Sequence, residues 1–218
     1  PSMTSAGGSA PVTLAGAVAL HLAEVITANI INMVFYGGKK LEISSTIAPY
    51  DMQSMIYAYG RPERQICNMM MADIARFYQC PCSGHGGHTD AKRPGSEAAA
   101  QRMLTSIPTL MSCGNIHVCA GLLSSDEICS PIQMILDDEI IGALRRFARG
   151  CEINDETIAL DVIKDVGAGN SFIDHIHTAE HFRTELWMPS IWTRQMFSAW
   201  QEKDGHNEIK KAMDIYYD

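Results

Sequence analysis

The chain of 218 residues is long enough for one domain that buries roughly 70% of the surface its unfolded form exposes. Its 17 Lys and Arg against 25 Asp and Glu leave a net charge of −8, which argues against nucleic acid as a partner, because such binding depends on neutralising phosphates. Hydrophobic residues at 46% and charged ones at 19% exclude disordered and fibrous classes.

An apolar opening from Met3 to Ala6 leads through Gly7 and Gly8 into an Ala-rich segment, and the pattern predicts a helix from Thr13 to Val34 ended by Gly37 and Gly38. The surrounding stretch from Val12 to Tyr36 carries His21, Glu24, Asn29 and Asn32. A mid-bilayer Glu is costly, so it reads as a core helix apolar on most faces, and no membrane partner is expected. No basic region precedes it, and no targeting segment is expected elsewhere. Seven cysteines (67, 80, 82, 113, 119, 129 and 151) spread through apolar runs fit reduced thiols and a cytoplasmic setting. Pro1 and Ser2 are not a natural start, so the chain is expected to be a piece of something longer.

Leu41 to Thr46 reads as a strand, followed by a loop through Pro49, Tyr50 and Asp51 towards Gly60. Pro62 opens a helix with Ile66, Met70, Ile74 and Phe77 on one side, and Pro81 stops it. The third unit is a strand from Cys82 to Gly87, a loop with Asp90, Lys92 and Pro94, and a helix from Ser96 to Met111. The fourth is Ile116 to Ala120, a loop from Ser124 to Cys129, and a helix from Ser130 as N-cap, with Pro131 in its first turn, to Gly150 as C-cap.

Strand, loop and helix repeated with short returns predict a parallel sheet, because parallel strands require crossover helices. The expected fold is α/β, with residues 1–150 as four βα units, half of a (β/α)8 barrel, and residues 151–218 as three or four short helices. Ligands in such folds bind at the C-terminal ends of the strands, which selects the loops 7–11, 44–60, 84–97 and 121–133.

In the third loop, Cys80, Cys82, His85 and His88 have a short spacing that suits zinc. Set against it is the simpler reading of two core cysteines followed by a glycine-rich turn. His175, His177 and His181 lack a zinc-protease spacing with its Glu, so they read as capping and hydrogen-bonding groups. No phosphate-binding glycine fingerprint and no nucleophile elbow is present. The loops are instead acidic and aromatic, with Tyr50, Asp51, Tyr57 and Tyr59, then Asp90 and Glu97, then Asp126 and Glu127. Carboxylates and ring faces suit a cationic ligand such as a methylated ammonium, or else form a solvated acidic rim.

Several ordered motifs are familiar together: GGSAPVTLAG from Gly7 to Gly16, Pro62-Glu63 at a helix start, GHTDAK from Gly87 to Lys92, Asp137 to Glu139, and ETIALD from Glu156 to Asp161. From about Gly7 to Trp200 the chain resembles the trimethylamine methyltransferase family, the corrinoid-dependent methyltransferases of methylated amines. That resemblance implies a (β/α)8 barrel about twice this length, of which this chain is the C-terminal half. It implies transfer of a methyl group from a tertiary or quaternary amine, of trimethylamine or glycine betaine type, to the cob(I)alamin of a separate corrinoid protein docked over the barrel mouth. No tightly bound cofactor and no metal is implied for this chain. Archaeal trimethylamine enzymes carry pyrrolysine where His88 stands here, so the chain resembles the members without pyrrolysine. His88 is thus the implied catalytic residue, with Glu42, Tyr50, Asp51, Asp90, Glu97 and Gln133 as implied substrate contacts.

The chain departs from the pattern with Glu42-Ile43-Ser44 at the second strand, Gly95 and Glu97 in the third loop, and Arg61 where a Ser would cap the helix at Pro62. Two other readings stay open: a non-catalytic half-barrel used as an interaction module, and a zinc-dependent methyl-transfer site at Cys80, Cys82, His85 and His88. Were the chain native in length, its open sheet edges predict a homodimer that closes the barrel.

Overall fold

A computed structural model describes residues 3–38, 40–113, 115–202 and 205–218. The first half holds strand β1 (Ser5–Ala6), helix α1 (Leu14–Tyr36), strands β2 (Ile43–Ser45) and β3 (Ala48–Pro49), helix α2 (Pro62–Phe77), strand β4 (Cys82–Gly86) and helix α3 (Ser96–Ser112). Then come strands β5 (Asn115–Val118), β6 (Leu122–Leu123) and β7 (Ile128–Cys129) and helix α4 (Pro131–Arg149). Helices α5 (Asp155–Ile158), α6 (Leu160–Val166), α7 (Ile176–Glu185), α8 (Phe197–Gln201) and α9 (Glu208–Tyr217) follow.

β2 and β3 are successive parts of one extended segment. β3 pairs with β1, and β2 pairs with β4, which pairs with β5, all in parallel. Four neighbouring extended segments therefore follow one another in chain order, each succeeded by a helix, as the βα rhythm predicts. Among the described residues the arc is open, with no pairing between β5 and β1.

Local chemistry sets the helix ends. The Ser130 side chain accepts from the Gln133 backbone N–H at the start of α4, Pro131 occupies its first turn, and Gly150 closes it at φ 64°. Gly37 closes α1 at φ 71°. Arg61 makes no side-chain cap for α2; its guanidinium pairs with Asp51 instead.

Four sequence expectations need correction. α1 is not buried on most faces: Ala17, Val18, His21 and Val25 are buried, all in its first half, while Ile30, Val34, Phe35 and Tyr36 are exposed. The elements that pack on it most are β1, β2 and α2, and most of its second half stays exposed. Among the described residues α1 is the one helix long and apolar enough to cross a membrane by length and composition, yet buried His21 bonds to Thr4 and to the Ser44 carbonyl and so ties it to the sheet. In α2 the Ile66 and Phe77 positions are exposed. Its buried face is Arg64, Gln65, Cys67, Asn68, Met71, Ala72 and Ala75, because Asn68 and Gln65 bond across to Thr109 of α3. The fourth loop contains an antiparallel β6–β7 hairpin rather than an irregular turn. The C-terminal segment carries five helices among the described residues, not three or four.

The main core joins Ala17, Val18 and Val25 of α1 to Ile43 and Ile47 and to Cys67, Met71 and Ala75 of α2. A second cluster joins Leu136 of α4 to Ile191 and Ala212. Buried Glu139 of α4 accepts from the backbone N–H groups of Ser190, Ile191 and Trp192 and from the Ser190 hydroxyl, which pins the C-terminal segment to the βα units.

Candidate functional site

The site grows from the alternation of side chains along β4. Cys82, Gly84 and Gly86 face α3. A Cβ on Gly84 would lie 2.5 Å from Thr109 Cγ2 and 3.0 Å from Cys113 Sγ, and one on Gly86 would lie 3.0 Å from Ser106 Cα, so only glycine lets the helix approach this closely. His85 points to the opposite side. The β4–β5 register sets it beside His117, with ring centroids 5.3 Å apart, and Cys119 lies two residues further on, at the end of β5.

His88 follows β4 and is 3% exposed. Its backbone N–H donates to Thr105 Oγ1, which in turn donates to its carbonyl. Besides the His85 ring, 6.1 Å away between centroids, the His88 ring has four neighbours. Arg64 Nη2 lies 3.2 Å from Nε2, Cys119 Sγ lies 3.5 Å from the same nitrogen, Asp126 Oδ1 lies 3.5 Å from Nδ1, and the Tyr59 ring meets it edge to face at 5.2 Å. A guanidinium only donates, so Nε2 accepts and the ring proton belongs on Nδ1, towards Asp126. Burial pushes the His88 pKa below its ordinary value against the pull of Asp126. Burial raises the Asp126 carboxyl, but His88, Arg64 and Arg102 more than reverse that and leave it below the usual range. His85 is pushed down to about 4, first by burial and then by Arg64 and the neighbouring imidazoles.

Arg64 is 4% exposed and stacks over Tyr59 at 4.6 Å from the ring centroid. Its Nε has no hydrogen-bond partner. Asp126 is delivered by a run of three left-handed residues, Ser124 (φ 54°), Ser125 (φ 54°) and Asp126 (φ 74°). Non-glycine residues in that region each cost on the order of 1 kcal/mol, and such strain concentrates at functional sites.

The structure separates most of the residues singled out in sequence. The proposed zinc set is not assembled: Cys80 Sγ lies 3.7 Å from the Ala75 carbonyl and Cys82 Sγ 3.4 Å from Cys113 Sγ, because Cys82 faces α3 while His85 faces away. Asp90 is committed internally. Its Oδ1 accepts from the Tyr59 N–H and the Ser125 hydroxyl, and its Oδ2 from the Gly60 N–H. Asp51 accepts from Gln53 and Ser54 and pairs with Arg61, and the Ser54 and Gln53 bonds with the Arg61 charge hold its carboxyl down at about 2. Gln133 is buried and donates to Asp137 Oδ1 at 2.7 Å. Glu42 stands just before β2, away from the strand C-termini, beside a cavity of about 300 Å³ that Asn29, Ser44 and Ser83 also line. Glu97 sits exposed in the first turn of α3, near Gln101. Tyr50 meets Tyr57 edge to face at 5.4 Å, and Tyr57 in turn lies 6.1 Å from Tyr59, so the aromatic run leads towards His88.

The sequence reasoning missed Arg64 and Cys119, because neither lies in a motif, and also Arg102, whose partner Asp137 stood in a motif but was given no role. Arg102 donates to the carbonyls of Gly87 and Cys119, and to that of Leu122, and lies 3.0 Å from Asp137 Oδ2. It thereby fixes the segments that follow β4 and β5. The signal available was the helical spacing of Arg102 with Ala98, Thr105 and Thr109, the small-residue side of α3 that the fold buries.

A family model for trimethylamine methyltransferase matches residues 1–218. The trimethylamine methyltransferase MttB of Desulfitobacterium hafniense (strain DSM 10664 / DCB-2) is 32% identical over 184 residues, which cover 84% of this chain and 37% of that protein. The MttB of Methanosarcina barkeri (strain Fusaro / DSM 804) is 29% identical over 91% of this chain and 40% of its own length. A glycine betaine methyltransferase of Desulfitobacterium hafniense (strain Y51) is 30% identical over 93% and 42%. This chain thus spans about two fifths of the curated relatives it matches, and on the match across its whole length it belongs to the trimethylamine methyltransferase family.

Proposed function

We propose that this chain forms part of a methyltransferase that moves a methyl group from a tertiary or quaternary amine to the corrinoid of a partner protein. The observation that carries the reading is the family match over all 218 residues, combined with a buried His88 group at the C-terminal ends of parallel strands, where such folds place their chemistry. The four-segment arc is then part of a (β/α)8 barrel. A corrinoid supplies the cobalt centre that accepts the methyl group, and a quaternary ammonium leaves as a neutral amine with no proton to be moved. The task of this chain is positioning. Tyr50 and Tyr57 offer ring faces to a methylated ammonium. Asp126 supplies negative charge beside His88 and Tyr59, and His88 orients the substrate between that carboxylate and Arg64.

The test is methyl transfer by the purified chain with reduced corrinoid protein or free cob(I)alamin, followed by absorbance, against trimethylamine, glycine betaine, carnitine and proline betaine. Methylation with one amine, lost in His88→Ala, is expected. Equal rates with and without the chain for every amine would refute the reading.

A further inference from the structure

The His88 group contains an arrangement that neither amine binding nor positioning explains. The ligand atoms of His85, His88 and Cys119 all lie within 4.8 Å of one another. Two of the donors come from β4 and the segment after it, and the third from the end of β5. Zinc bonds of about 2.0–2.1 Å to nitrogen and 2.3 Å to sulfur give a tetrahedral N···S edge of roughly 3.6 Å, and His88 Nε2 stands 3.5 Å from Cys119 Sγ. We propose that His85, His88 and Cys119 form a binding site for a divalent cation of the zinc class, with a fourth position open.

Three further features agree. Asp126 Oδ1 lies 3.5 Å from Nδ1 of His88, a buried nitrogen that has no hydrogen-bond partner among the described residues. The carboxylate is thus placed to take the Nδ1 proton and leave Nε2 for the metal, as in the carboxylate–histidine arrangement around bound zinc. The mixed imidazole and thiolate donor set suits zinc rather than magnesium or calcium. Charge balance also favours a dication: Arg64 lies in the field of Asp126 and Asp90, the nearby Arg102 is cancelled by Asp137, metal binding converts Cys119 to a thiolate, and two added positive charges bring the group to neutrality. Arg64 Nη2 now lies 3.2 Å from Nε2 and gives way to the metal by resting on the Tyr59 ring, which it already covers. Three protein ligands and an open position are the pattern of a catalytic site rather than a structural one. The site differs from the one suggested by sequence spacing, since Cys80 and Cys82 contribute nothing to it.

The test is optical and independent of turnover. The chain is stripped with a chelator and titrated with Co²⁺ as a spectroscopic stand-in, then with Zn²⁺ as competitor. Saturable binding is expected, with the visible bands of tetrahedral cobalt and a near-ultraviolet thiolate-to-cobalt band. Cys119→Ser removes the thiolate band, Cys82→Ser leaves the spectrum unchanged, and Asp126→Asn weakens binding about 10–100-fold. If Cys119→Ser does not fold by circular dichroism, protection of Cys119 from alkylation by Zn²⁺ in the unaltered chain replaces it. An absent thiolate band, a band that survives Cys119→Ser or disappears in Cys82→Ser, or alkylation of Cys119 undiminished by zinc would overturn the proposal.

Discussion

Arg102→Met should be among the most damaging substitutions in this chain, although residue 102 is assigned no contact with substrate. Arg102 is 1% exposed and Asp137 2%. Burial pushes the arginine pKa down and the aspartate pKa up against their mutual attraction, so each charge is tolerated only because of the other. Removing the guanidinium leaves the Asp137 carboxylate with the Gly121 N–H and the Gln133 amide as its bonded donors. It also strips a donor from the Gly87, Cys119 and Leu122 carbonyls. Breaking one side of a buried pair costs about 3–5 kcal/mol, a large share of the 5–15 kcal/mol typical of a domain. Arg102→Met with Asp137→Leu removes both charges together and should recover at least about 2 kcal/mol relative to the sum of the single losses. Urea unfolding followed by circular dichroism gives all three values. A single-variant loss below about 1 kcal/mol, or strict additivity, would refute the reasoning that the pair is one unit.

Stability should fall as pH drops from about 6.5 towards 4. His85 keeps its ordinary pKa in the unfolded chain and is pushed down to about 4 in the fold, so the unfolded state binds the extra proton in that window. The shift is worth about 1–2 kcal/mol after discounting for the partial exposure of the ring, and buried His21 and His88 act in the same direction. His85→Asn should flatten the profile between those pH values, and an unchanged slope in urea midpoints would count against it. Glu139→Ala leaves the donors of residues 190–192 unpaired and should cost about 2–3 kcal/mol; limited proteolysis should then cut the C-terminal segment first, and unaltered cleavage would contradict its pinning role. Gly84→Ala places a methyl against Thr109 and Cys113 and should cost about 1–3 kcal/mol in urea unfolding, whereas a neutral result would mean that α3 moves away freely.

The fold was legible wherever one local signal decided the outcome. Pro62, Ser130 with Pro131, Gly37 and Gly150 stand at the helix ends the sequence predicts, since caps and proline act within a few residues. Burial was less legible. The apolar run of α1 satisfies the pattern of a core helix, but which side packs depends on neighbours distant in sequence, and β1, β2 and α2 cover one part of it. For α2 the apolar stripe misled because the helix packs through Gln65 and Asn68, whose partner Thr109 is more than 40 residues away. The site shows the same limit. His88 stood out by its motif and lies at the centre of the group, while Arg64 and Cys119 reach it only through the registry of α2 and β5 with β4.

The fate of the acidic residues carries the strongest lesson about composition. Carboxylates crowded into strand-end loops suggested a rim that binds cations, but Asp51 and Asp90 spend their oxygens on backbone N–H groups, hydroxyls and an arginine of the chain itself, as does Asp137 within α4 on a backbone N–H, an amide and Arg102. Two of them tie separate segments together: Asp90 joins Tyr59, Gly60 and Ser125, and Asp137 joins Gly121 to Arg102. A loop rim built this way is held rigid by the same charges that would otherwise attract a ligand. The groups with chemistry left to offer are those turned inward from β4 and β5, namely His85, His88 and Cys119, together with Asp126 and Arg64. Asp51 and Asp90 therefore set loop geometry, while the groups brought together at the strand ends are imidazole, thiol, guanidinium and the Asp126 carboxylate.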